Sequence, residues 1–160
     1  MAGGQGTAGG GGPAPEGVGP PDDAGVTVVV HDLAQARAAL AVGLELGVAV
    51  RLRSAPGAAG YAGVGFFHAL GREVGHELPV DCGDDAGLVL AALRTGCRDV
   101  AFSGAAGTAR RLADIAAQRG AVLRYESGPP PRTLTLAPGA DAGRALRAAL
   151  RARLLPGADA

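Results

Sequence analysis

The chain has 160 residues, enough for one domain with a real core and too few for two ordinary ones. Fifteen basic residues balance fifteen acidic ones, so no general attraction to nucleic acid or to an anionic membrane is indicated. Every basic residue other than His is Arg, and without Lys the chain lacks the amine that a Schiff-base aldolase, a pyridoxal-phosphate enzyme or a Walker A loop requires.

Residues 1–25 hold ten glycines and four prolines with almost no large apolar side chains, and are expected to form a disordered tail. The folded domain is expected over 26–155, with 156–160 a disordered end. From Val26 onward, short β-branched runs alternate with Ala/Leu-rich stretches, the pattern of a parallel sheet with crossover helices. Strands are predicted at Val26–His31, Val48–Arg53, Leu78–Cys82, Asp99–Ser103 and Ala121–Tyr125, with Thr133–Leu136 as a short sixth at an edge. Helices are predicted near Leu33–Leu46, Val64–Gly75, Ala86–Thr95, Thr108–Arg119 and Ala142–Leu154. Gly47, Gly96 and Gly120 each follow a helix, where a left-handed cap favours glycine. The expected fold class is α/β, a single domain with a mainly parallel sheet of five or six strands, either flavodoxin-like or a partial (β/α) barrel.

Strand starts are spaced 22, 30, 21 and 22 residues apart, and the surplus falls in the glycine-rich Ser54–Gly65. Loops at the carboxyl ends of parallel strands are where such folds usually bind ligands. Ser54, Gly57, Gly60 and Tyr61 are therefore candidate ligand contacts. His31 and Asp32 end the first strand, and Asp32 with Gln35 fits a capping box, which leaves His31 as a candidate ligand contact or proton carrier.

Asp81-Cys82-Gly83-Asp84-Asp85 is the densest polar cluster. Asp84 or Asp85 suits the N-cap of the next helix, whereas Asp81 precedes the turn and needs a ligand, a metal or an Arg to offset its desolvation. Asp81 and Asp84 are candidate ligand contacts, and Asp81, His31 and Cys82 are the candidate catalytic groups. A nucleophilic Cys82 would require a basic partner, for which His31 is the nearest His by topology. Ser103, Gly104, Gly107 and Thr108 lie at a strand-to-helix turn followed by Arg110 and Arg111. They read either as a seat for a small anionic metabolite or as a turn capped by Thr108.

Cys82 and Cys97 form neither a CxxC pair nor a disulfide framework, which suits a reducing compartment. With no signal segment and no apolar run of roughly 20 residues, the expected location is cytoplasmic and no membrane partner is expected. The predicted helices Leu33–Leu46 and Ala86–Thr95 are apolar nearly all round, which points to a homo-oligomer. Arg144, Arg147 and Arg151 form a basic stripe that reads as a solvated outer face.

At SAPGAAGYAG and DCGDDAGLVLAALRTG the chain resembles a group of small uncharacterised bacterial α/β proteins, from about Val28 to Tyr125. That resemblance implies a domain boundary and no mechanism. A second likeness, in LAALRTGCRDVAFSG followed by a helix and another strand, is to phosphate-binding (β/α) barrels, of which this chain would be a part. The reading that follows is binding of a small molecule, with a phosphorylated metabolite as one class, at the carboxyl edge of the sheet. The alternative is a non-catalytic homo-oligomeric interaction or regulatory module. The sequence leaves open whether any reaction is catalysed, assigns no cofactor and marks no metal site.

Overall fold

The computed structural model describes residues 25–126, 132–139 and 141–154. The expected tail and the last residues lie outside these, except for Gly25. In chain order the elements are β1 (Val26–Val29), α1 (Leu33–Leu46), β2 (Val50–Arg53), α2 (Ala58–Ala62), α3 (Val64–Val74) and β3 (Val80–Asp81). They continue as α4 (Ala86–Thr95), β4 (Asp99–Phe102), α5 (Ala106–Gln118), β5 (Val122–Tyr125), β6 (Thr133–Thr135) and α6 (Ala142–Leu154). This is an α/β fold, and among the described residues no helix is long and apolar enough to cross a membrane.

The six strands form two parallel three-stranded sheets, ordered β2-β1-β6 and β3-β4-β5, where the sequence suggested one. The sheets meet at the ends of β2 and β3: the Ser54 amide donates to the Pro79 carbonyl (3.1 Å), and the Asp81 amide donates to Ser54 Oγ (2.8 Å). Side by side the strands therefore run 6-1-2-3-4-5, neighbours in space being neighbours in sequence except that the last strand lies beside the first. That is the order of a (β/α) barrel. The flavodoxin-like alternative is excluded, because it would set β1 between β2 and β3, whereas the second neighbour of β1 is β6.

The helices follow the same order, α1 touching α6 on one side and α3 on the other, and α4 lying between α3 and α5. The apolar flanks of α1 and α4 are thus taken up within the chain. Leu44, 87% exposed, is the large apolar side chain of α1 that stays in solvent. At the ends of the row, α5 and α6 carry the polar faces, and Arg147 of α6 pairs with Glu45 of α1 at 2.9 Å.

Each strand has two chemically different faces. Val28, Leu52, Val80, Val100 and Leu123 share the face covered by helices, in one core with Val42, Val89, Leu112, Leu146 and Leu150. The alternate positions, Thr27, Val29, Arg51, Arg53, Asp81, Asp99, Ala101, Val122, Arg124, Thr133 and Thr135, share the opposite, inner face, as the period of two requires, and most of them are polar. Sheets with helices on both faces have near-continuous apolar strands. The alternation in VRLR and TLT belongs instead to strands with helices on one face only.

Every predicted strand is shortened by one or two residues at an end, β1 to Val26–Val29 and β2 to Val50–Arg53 among them, and two boundaries bear on the site. The middle strand shrinks from Leu78–Cys82 to Val80–Asp81, and the helix expected from Thr108 starts at Ala106, with Ala105 as its N-cap. The glycine-rich Ser54–Gly65 is not all loop, since α2 occupies its centre. Gly47 and Gly96 cap α1 and α4 in the left-handed conformation.

Candidate functional site

Arg51 and Arg53 are two positions apart, with Leu52 between them, so both fall on the inner face of β2 while Val50 and Leu52 enter the core. The Arg53 side chain is 5% exposed, and a guanidinium that deep must be paired. Its Nη2 lies 2.8 Å from Asp81 Oδ2 and its Nη1 2.8 Å from Glu126 Oε2, joining the carboxyl ends of β2, β3 and β5.

Asp81 is committed on every side. Its Oδ1 accepts the amides of Gly57 and Gly83, each at 2.9 Å, and its own amide reaches Ser54. Gly57 and Gly83 have φ of +66° and +58°, a conformation that turns both amides toward one carboxylate and that a side chain would strain. One carboxylate therefore ties the glycine loop after β2 to the turn after β3 and orients Arg53. Of the partners Asp81 needed, the structure supplies Arg.

These groups line a cavity of about 260 Å³ at the carboxyl ends of the strands. Val29, Arg53, Asp81, Ala101, Glu126 and Thr135 bring side chains from the strands or their ends, and Pro56, Gly57, Gly83 and Ser103 come from the connecting loops. One pleat toward the amino ends, Asp99 and Arg124 form a bidentate pair on the same face, both contacts at 2.7 Å. Counting Arg53, Asp81 and Glu126, the ionised groups lining the cavity carry one more negative than positive charge.

Of the residues singled out from sequence, Gly57, Asp81 and Ser103 line the cavity, and Ser54 is buried behind them as the acceptor for Asp81. Gly60 and Tyr61 ride on α2 outside it, Tyr61 being 70% exposed. Asp84 is exposed, and the cap of α4 is Asp85, whose Oδ1 accepts from Gly87 and Leu88 at 2.8 and 3.1 Å. Gly104, Gly107 and Thr108 are absent from the lining. Gly104 has a packing reason to be glycine, since a Cβ there would lie 2.4 Å from the Phe102 ring. Thr108 sits half-buried inside α5 and does not cap it.

His31 is engaged elsewhere. Its Nε2 lies 3.0 Å from the Leu136 carbonyl, and its amide donates to Gln35 Oε1 at 2.9 Å. Asp32 Oδ1 accepts from the Gln35 amide at 2.8 Å, so the capping box forms with its second arm one residue early, on His31. Gln35 Nε2 then donates to the Ala137 carbonyl, fastening the segment after β6 to the start of α1.

Cys82 is buried, and burial first, then the neighbouring Asp81 charge, push its thiol up to about 12. A nucleophile needs the opposite shift, so the surroundings of Cys82 do not favour that role. Cys97, pushed up to about 11 mainly by burial, is likewise a free, neutral thiol. Among the described residues no group of three or more His, Cys, Asp or Glu is placed to hold a metal ion.

Arg53, Glu126 and the Asp99–Arg124 pair were not singled out from sequence. Their signal was the period-two alternation of charge in VRLR and LRYE, legible as an inner polar face once helices are assigned to one side only. Compared with protein families, curated proteins and solved structures, the chain matches none.

Proposed function

We propose that this protein binds a small polar molecule in the cavity at the carboxyl ends of its strands. The observation that supports this most is Arg53, buried in the cavity wall and held between carboxylates from two other strands. Enclosing three charges costs more than packing apolar side chains of the same volume, so such a triad is more economically kept for a ligand than for stability. The arrangement also suits binding: the guanidinium has five N–H donors, and the two carboxylates use only two of them. About 260 Å³ accommodates a compact metabolite and is below the usual range for drug-sized ligands. The self-associating module has less in its favour, since the apolar flanks that suggested it are covered by neighbouring helices.

Thermal denaturation against a panel of phosphorylated, neutral and amine-bearing metabolites tests the reading. A ligand at a hundred times its Kd stabilises by about 2.7 kcal/mol and shifts the melting temperature by several degrees. Silence from all three classes at millimolar concentration would defeat it.

A further inference from the structure

Resting on that reading, we propose that the molecule bound is a small hydroxylated ammonium compound whose charge is met by Glu126. The sequence suggested an anion, through the turn Ser103–Thr108, but of the four residues that carried it only Ser103 reaches the cavity. The charge in the cavity wall points the other way. Arg53 is matched twice, by Asp81 and by Glu126, so the wall holds a surplus carboxylate. Asp81 is already occupied by Arg53, Gly57 and Gly83. Glu126 gives Oε2 to Arg53, while its Oε1 has no partner among the described residues, and the side chain is 21% exposed at the cavity.

A carboxylate oxygen open to a half-enclosed cavity favours a ligand cation, because the low surrounding dielectric magnifies the attraction and magnifies equally the repulsion of an anion. Arg124, one pleat toward the amino ends, is matched by Asp99 and does not line the cavity. Ser103 and Thr135, both exposed at the rim, add hydroxyl groups that can exchange hydrogen bonds with ligand hydroxyls. An ammonium donor at one end and hydroxyl groups along the rest of the molecule therefore match what the wall presents.

The test uses one six-carbon frame in three charge states, titrated calorimetrically into the full chain: 1-amino-1-deoxysorbitol, sorbitol and sorbitol 6-phosphate. The expected order is amine, then neutral polyol, then phosphate, with about tenfold between the first two. Glu126→Gln keeps an acceptor for Arg53 while removing the charge. It is expected to lower the amine's affinity about tenfold and leave that of sorbitol within about twofold. The wild-type series alone decides the matter should that variant not fold. Tightest binding by the phosphate overturns the inference while leaving the cavity reading intact. Binding by none of the three also overturns it, and the broader metabolite panel then decides separately whether the cavity binds anything.

Discussion

The two faces of the strands are built on opposite principles. On the outer face Val28, Leu52, Val80 and Val100 are buried against helices, and each such side chain contributes about 1.5–3 kcal/mol by leaving water. On the inner face Arg53, Asp81 and Glu126 gain mutual attraction but lose hydration, so their net contribution is small and can be negative. The outer face accounts for stability; the inner face holds charges in a fixed geometry. The contrast also leads us to expect the inner face to be sensitive to losing one partner and tolerant of losing them all.

The largest effect that would sharpen this comparison is expected from Asp81→Ala. Reasoning from the sequence alone, the loss of an isolated carboxylate should leave the fold intact or slightly more stable. The structure reverses the expectation, because the mutant strands the Gly57 and Gly83 amides and leaves Arg53 half-paired. We expect a loss of about 3–5 kcal/mol in urea denaturation. A loss below about 1 kcal/mol would show that the inner network is not coupled to the fold.

On the outer face, Leu52→Ala removes an almost fully buried side chain and is expected to cost about 2–4 kcal/mol. Unlike Asp81→Ala, it should leave the relative affinities of charged and neutral ligands unchanged. A change in ligand preference would mean that the two faces are not separable.

Alkaline pH probes the two buried thiols, both of which lie in the apolar core with the outer-face side chains. Cys82 is shifted from 9.0 to about 12 and Cys97 from 9.0 to about 11, so the native protein holds protons that the unfolded chain releases. Each thiol's stabilisation is full below about pH 9 and diminishes as pH rises toward the native values, a direction fixed by linkage. Replacing both cysteines with Ala is expected to flatten the fall in melting temperature between about pH 9 and 11. An unchanged slope would show that other groups cause it.

The smallest expected effect distinguishes adjacent carboxylates. Asp85→Ala removes the cap of α4 and is expected to cost about 1 kcal/mol, while Asp84→Ala stays within about 0.5 kcal/mol. Equal losses would contradict the assignment of the cap to Asp85.

Much of the local structure was legible in the sequence because it depends on neighbours along the chain. The alternation of strands and helices, the glycine caps at Gly47 and Gly96 and the Asp32–Gln35 cap all follow from contacts within a few residues. Which of two adjacent aspartates would cap α4 was not legible, since Asp84 and Asp85 have the same chemistry and only the turn geometry separates them.

The sequence by itself determined the α/β class, the approximate positions of all the helices but α2, and the alternation of polar with apolar side chains along the strands. Only the tertiary structure decided the strand order, and with it the meeting of Arg53 with Asp81, 28 residues away, and with Glu126, 73 residues away. The physical reason is that periodicity tells each side chain which face it occupies but not which strand will lie beside it. That choice is made by how the helices pack against the sheets, so the partner of a buried charge is a property of the whole fold.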